Sequence, residues 1–483
     1  MTFTRRRFLE RSAAAGALLS AGGMAGAWSP AQARSRLTAA QLRALRDAVR
    51  GPVLSPGSSG YDAARVVFNR RYDGVRPPAV VRARDAADVR AVVDWAQRHD
   101  VSLVSRSGGH AYNGASTSDD AVVVDVGRLD RVALGADGIA TVGPGARNID
   151  VYAGLARRGA TIASGSCPMV GAGGLITGGG MGLAGRELGL ALDRVVAFDV
   201  VTADGRLRRV DAGHDEDLFW ALRGGGGSFG IVTAIRLRVR RVSSAAWFFA
   251  SFPRSSAGEA LAAWDGLAPG ATSALTSIFT VPGSSGSVTA LGQYHGPEAA
   301  LRRLVAPLAA VRGARLRAGT SGYLALQRRW AGCADGGLAA CHRDPRSLFA
   351  ASSVYVSRRL SASARSDVLA AAGRGATLVI DAYGGAINDV APDATAFVHR
   401  DARFSVQILS YAGDLATARS RVARARGLIA PHGNGQAYQN YADPSLPAAR
   451  RAYYGANYAL LQSIKAAIDP DDRFRPAQGV RAA

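Results

Sequence analysis

Lysine is almost missing from this 483-residue chain: Lys465 stands alone, and arginine supplies the rest of the 59 basic residues. The arginines lie singly or in pairs, often beside aspartate, and no basic run interleaved with base-stacking aromatics occurs. The formal charge of +22 therefore does not point to a nucleic-acid partner. Cysteine is scarce as well, and three residues cannot all pair within one chain. Internal repeats and long low-complexity tracts are absent, which sets repeat arrays aside. The glycine runs lack a Gly-Lys-Ser/Thr ending, so none is a P-loop, and nothing near Gly171 has dinucleotide-fold spacing between a strand and a helix. The longest small-residue apolar run, Ala13 to Ala27, is too short and too glycine-rich for a stable membrane span. No metal-ligating set stands out.

What is present describes a folded, loop-rich α/β or α+β protein: 48% apolar residues and 58 glycines over a length that favours two or three domains. Residues 1–33 read as an export signal, with Thr4-Arg5-Arg6-Arg7-Phe8-Leu9, the apolar run, and Ala31-Gln32-Ala33 as a small-x-small cleavage site. The Arg-Arg-x-Phe-Leu order resembles a twin-arginine signal, so the expected partner is the export machinery that carries folded, cofactor-loaded proteins, with cleavage near Ala33. In an oxidising compartment Cys333 and Cys341 form a local disulfide or remain two buried thiols, and Cys167 needs a separate reason.

A helix is expected from Leu37 to Val49, then a Pro/Gly/Ser loop from Pro52 to Gly60. Asp85 caps a helix whose Val89, Val92, Val93 and Ala96 share one face. A short strand from Val101 delivers the chain to His110, and Ile149 to Arg158 reads as a helix. Val195 to Thr202 and Arg206 to Val210 flank an Asp204-Gly205 hairpin turn. The character changes near Val242, where strands begin to alternate with arginine- and alanine-rich helices through Ala430. The tail then enters a helix with Tyr453, Asn457, Leu460, Leu461, Ile464 and Ile468 as its stripe. The divisions expected are 34–242, 243–432 and a returning tail, 433–483.

One histidine and one cysteine sit in glycine-rich surroundings. Arg106-Ser-Gly-Gly-His110-x-Tyr112-x-Gly114 and Gly165-Ser-Cys167-Pro-x-Val170-Gly171 are followed by Arg223-Gly-Gly-Gly-Gly-Ser-Phe-Gly230, Tyr438-x-Asn440-Tyr441, Asp469-Pro470 and Phe474. Glycines let backbone N–H groups approach a flat polyanionic ligand, and imidazole and thiolate are the nucleophiles that add to an electron-poor ring. From about Pro77 to the C-terminus, these motifs in this order resemble the berberine-bridge-enzyme-like flavin oxidases of the vanillyl-alcohol oxidase superfamily. The resemblance implies an α+β fold: a two-subdomain FAD-binding domain, and a substrate domain with an antiparallel sheet backed by helices. It implies FAD bonded twice, through His110 to the flavin 8α-methyl and through Cys167 to C6. The cradle would be Arg106, Ser107, Gly108, Gly109 and Gly114, then Val170, Gly171, Gly173, Gly174, Gly178, Gly179 and Gly182, with Gly230, Val232 and Asn440.

In relatives that oxidise sugars, Tyr441 matches a base that pairs with an aspartate on a substrate-domain strand, and Asp381 in Leu378-Val379-Ile380-Asp381 matches that aspartate; Tyr438 is the other tyrosine of the motif. A tyrosine needs such help, because its ordinary pKa lies near 10. Tyr112 and Met181 are expected to face substrate. Many relatives carry histidine at Leu175 and tyrosine at Met181, so this pocket is more apolar, and the small Val170, where the family controls oxygen access, resembles oxidases. The expected activity is hydride transfer from a sugar or oligosaccharide alcohol to FAD and then to O2, giving H2O2. A secondary metabolite, such as a glycosylated aromatic or an amine, is the alternative substrate. A binding protein that had lost chemistry would lack His110, Cys167, Tyr441 or Asp381, and all are present.

Overall fold

The computed structural model describes residues 37–483 except Ser284, Ser285 and Asp344, so the expected export signal lies outside the described residues. Asp85 caps the Ala86–Arg98 helix through Ala87 N and Asp88 N, and Val89, Val92, Val93 and Ala96 are fully buried on one face. That face covers a sheet in which Val80–Arg82, Ala121–Asp125 and Ser102–Arg106 run parallel. The segment read as an irregular loop after Pro52 contributes Val53–Leu54 as an antiparallel edge. The last of the parallel strands ends at Arg106, which releases the Ser107–His110 turn at the sheet's rim.

A second, five-stranded antiparallel sheet runs in the order Val132–Leu134, Ile139–Val142, Ile231–Arg238, Val195–Val201, Leu207–Asp211. Gly205, at φ +73°, makes the expected turn between the last two. The third sheet has seven antiparallel strands, in the order Arg315–Gly322, Ser244–Phe252, Val288–Tyr294, Leu275–Val281, Thr377–Ala382, Phe404–Ser410, Ala350–Val356. Strand alternation divides its faces. Leu378, Ile380 and Ala382 pack into a core with Trp264, Val368 and Val422 of the covering helices, so Asp381 lies on the other face, registered with Ser405 and Ile278.

The tail differs from the single striped helix expected. Gly455, at φ +50°, interrupts it, leaving Ala449–Tyr454 and Tyr458–Ile468 joined by a 3-10 turn. Asn457 is consequently no stripe residue; its amide donates to Pro392 O and Thr395 O. Lys465 is fully buried, bonded to Asp469, to Ser228 O at 2.9 Å and to Phe474 O at 2.9 Å. The end of the chain is thereby fastened to the first sheet, where Phe474 bridges Leu103.

Candidate active site

The Ser107–His110 turn and the Gly165–Gly171 loop cross in direct contact. A Cβ on Gly108 would run into Gly171 N, and one on Gly171 into Ser107 Oγ. Only glycines permit that approach, and it brings His110 and Cys167 to the wall of one cavity of about 440 Å3. Cys167 is exposed and in no disulfide, whereas Cys333 and Cys341 are bonded to each other. His110 stacks on Phe68 with centroids 4.2 Å apart. Its burial, aided by the Arg147 cation, pulls its pKa down to about 4, so the imidazole is neutral at pH 7 and keeps a free lone pair.

Tyr112, Tyr438 and Tyr441 line the same cavity. Tyr438 and Tyr441 meet edge to face at 4.8 Å, and Tyr112 lies over Tyr441 at 6.1 Å. The Tyr438 oxygen accepts from Gly180 N at 3.0 Å and Asn440 Nδ2 at 2.9 Å. Those donors oppose the burial that pushes Tyr438 up to about 12. Tyr441 is raised well above its ordinary value, by burial and then by the Asp381 carboxylate. Asp381 does not line the large cavity. It faces a separate chamber of about 30 Å3 shared with Tyr441, Met181, Ser166 and Thr276. Its Oδ2 has no hydrogen-bond partner, so the expected Tyr441–Asp381 pair faces across this chamber without a direct bond to that oxygen. At 8% exposure, burial lifts the Asp381 carboxyl to about 7.

Ser107, Gly108, Gly109, Val170, Gly171, Gly173, Gly174, Gly178, Gly230, Val232 and Asn440 all reach the large cavity, as do Tyr112, Met181 and Leu175. Four expected cradle residues do not. Arg106 turns back to Ala64 O at 2.6 Å and Asp125 at 3.0 Å, bracing the strand beneath the turn. Gly114 abuts the Tyr72 ring, Gly179 the Tyr438 hydroxyl and Gly182 the Ser164 carbonyl. Conversely, Gln407 escaped notice: its Nε2 donates to Tyr112 OH at 3.0 Å and fixes that ring. The polar–apolar alternation Ser405-Val406-Gln407-Ile408 on a strand was its readable signal. Phe68 and Tyr411, also on the wall, carry no motif.

No Asp, Glu, Lys or Arg lines the large cavity among the described residues. The backbone N–H groups of Gly108, Gly109, His110 and Ala111 donate to no acceptor among the described residues. Such unspent donors suit a diphosphate, and the uncharged, partly apolar walls suit a flat ring system. Fold and site therefore define a flavin-dinucleotide-binding oxidoreductase.

Comparison with known proteins specifies the class. The FAD binding domain family matches residues 77–211, and the berberine and berberine-like family matches residues 437–481. An FAD-linked oxidoreductase of Bacillus subtilis (strain 168), YvdP, is 32% identical over 445 residues, covering 89% of this chain and 98% of the relative. A chitooligosaccharide oxidase of Gibberella zeae is 29% identical over 89% of this chain and 92% of its own. Among solved structures, Physcomitrella patens BBE-like 1 superposes with a TM-score of 0.87 at 28% identity, covering 92% of this chain and 99% of its own. The chain belongs to the berberine-bridge-enzyme-like FAD-linked oxidoreductases of the vanillyl-alcohol oxidase superfamily.

Proposed function

We propose that this protein is an exported oxidase of neutral sugars or oligosaccharides, carrying FAD bonded through both His110 and Cys167 and releasing H2O2. The observation that carries the reading is that His110, Cys167 and Tyr441 converge on one uncharged cavity, with Asp381 just behind Tyr441. Similarity to a chitooligosaccharide oxidase supports a carbohydrate alcohol, taken here to be the anomeric hydroxyl. When bound, FAD supplies the hydride acceptor and the route of electrons to O2. The N–H groups of Gly108 to Ala111 would hold its diphosphate.

The chain's own task is to move a proton. As hydride leaves the substrate carbon, the adjoining hydroxyl must lose its proton, and Tyr441 receives it. Burial keeps Tyr441 a neutral phenol at rest, so it takes the substrate proton only as it passes its own phenol proton on. Asp381 faces it across the 30 Å3 chamber, which has room for about one water, with Oδ2 uncommitted and a pKa near neutrality. Tyr438, its oxygen already accepting two N–H bonds, orients the site instead of exchanging the proton. The half-buried Met181 lines both spaces and favours a second reading, a less polar glycosylated aromatic.

The test is to precipitate the protein with acid, look for yellow colour in the pellet, and follow peroxide with a panel of sugars. A colourless pellet removes the covalent bonds from the reading. No peroxide with any mono- or oligosaccharide removes the sugars. Export is supported by the residue 1–33 pattern and is tested by replacing Arg5 and Arg6 with lysine, which should leave the protein in the cytoplasm.

A further inference from the structure

The loop that carries Cys167 is held through the carbonyls of five of its residues. Asn148, 1% exposed at the first turn of the Asn148–Ala156 helix, donates from Nδ2 to Gly165 O and to Cys167 O at 3.2 Å, and from its backbone N to Val170 O at 2.9 Å. Ile149 N takes Pro168 O at 3.0 Å, Arg147 Nη1 takes Met169 O at 3.1 Å, and Tyr152 OH takes Gly165 O at 3.1 Å. The carbonyls of 165, 167, 168, 169 and 170 are thus all read by residues 147–152. From the other side, Ile149 packs against the Cys333–Cys341 disulfide, and His342 Nε2 meets Asp150 at 2.9 Å. His110 receives none of these hydrogen bonds; it rides the turn after Arg106, stacks on Phe68 and meets Arg147 only through its charge.

A cysteine side chain has one torsion that places its sulfur, so the backbone position and one rotamer choice decide where Sγ lies. Forming a thioether to a bound ring requires a near-attack approach, and a displacement of about 1 Å can slow such a step roughly 10²-fold. Building on the two-bond reading above, we infer that Asn148 is a positioning residue for Cys167, setting how efficiently the second flavin bond forms. That bond joins Sγ to a ring carbon. The S–H and ring C–H bonds break, two protons leave, and the two electrons released are taken by O2 to give H2O2.

The experiment uses full-length, FAD-loaded protein and compares Asn148→Ala in two backgrounds, His110→Ala, where only Cys167 can hold flavin, and Cys167→Ser, where only His110 can. The readout is acid-precipitated flavin as a fraction of total bound flavin after a fixed maturation time, with the melting temperature recorded alongside. The expected result is a loss of about tenfold or more in the His110→Ala background and no change in the Cys167→Ser background. Equal losses in both would assign Asn148 a merely structural role and overturn the inference, as would no loss in either. If Asn148→Ala does not fold, Asn148→Gln, which displaces the amide by one methylene, is read in the same way. A His110→Ala protein that retains no covalent flavin with Asn148 intact would overturn the two-bond reading itself, and this inference with it.

Discussion

Replacing Asp381 by asparagine should make the protein more stable and much less active, with both effects depending on pH. The carboxyl is 92% buried, Oδ2 has no partner, and burial raises it from an ordinary value of 3.8 to about 7. Between those values the folded protein binds more protons than the unfolded chain, so Asp381 subtracts stability as pH rises through the window and its cost levels off above about 7. With 1.36 kcal/mol per pKa unit, the full cost is on the order of 4 kcal/mol at pH 8 and falls below about 2 kcal/mol at pH 5. Asparagine has the shape of the protonated acid and escapes the penalty. Denaturant unfolding of both FAD-loaded proteins should therefore show an advantage for Asp381→Asn that grows from pH 5 to pH 8. Wild-type kcat/KM should fall about tenfold per unit below pH 7, as the proton acceptor becomes protonated. The variant should lose roughly 10²- to 10⁴-fold at pH 8, a deficit that narrows below pH 7 as wild type loses its proton acceptor. An Asp381→Asn protein that is less stable than wild type at pH 8, or whose gain is equal at pH 5 and pH 8, would refute this account.

Other expectations are simpler to check. A cavity wall on which the described residues place no Asp, Glu, Lys or Arg should disfavour ionised substrates, so kcat/KM for a uronic acid or a free amino sugar should lie at least about tenfold below that of the neutral parent or its N-acetyl form. Lys465→Met would leave Asp469 buried without its cation and should destabilise the protein by about 3–5 kcal/mol in denaturant unfolding. Since Lys465 is fully buried, an amine-reactive reagent followed by mass spectrometry should label the native protein at the N-terminus alone and reach Lys465 only after unfolding. Gln407→Leu removes the bond that fixes Tyr112 and should raise KM more than it lowers kcat in steady-state assays.

The cofactor half of the site was the more legible half. Gly108 and Gly171 read as cradle glycines, and they flank the segments that carry His110 and Cys167; that they cross each other is seen only in the structure. Arg106 and Gly114 belong to the same motif yet point elsewhere, because a motif records which residues travel together and not which way each side chain turns. Gln407 and Asn148 were missed for a related reason. Gln407 acts on Tyr112 across 295 residues and Asn148 on Cys167 O across 19, both outside the span of one helix or strand, where local pattern ends.

By itself, then, the order of residues determined the helix at Ala86–Arg98, the hairpin at Gly205, the glycine loops, and the chemical identity of the groups that line the large cavity. These depend on backbone conformation and hydrophobic period, which are properties of neighbouring residues. Only the tertiary structure decided that Asp381 faces a small chamber shared with Tyr441, that Gly455 breaks the last helix, and that the lone lysine is buried in the tail's anchorage. Those outcomes depend on which surfaces exclude water from one another. Asp381 shows the difference: the same carboxyl on an exposed strand would titrate near 4, and burial among segments hundreds of residues apart moves it to about 7.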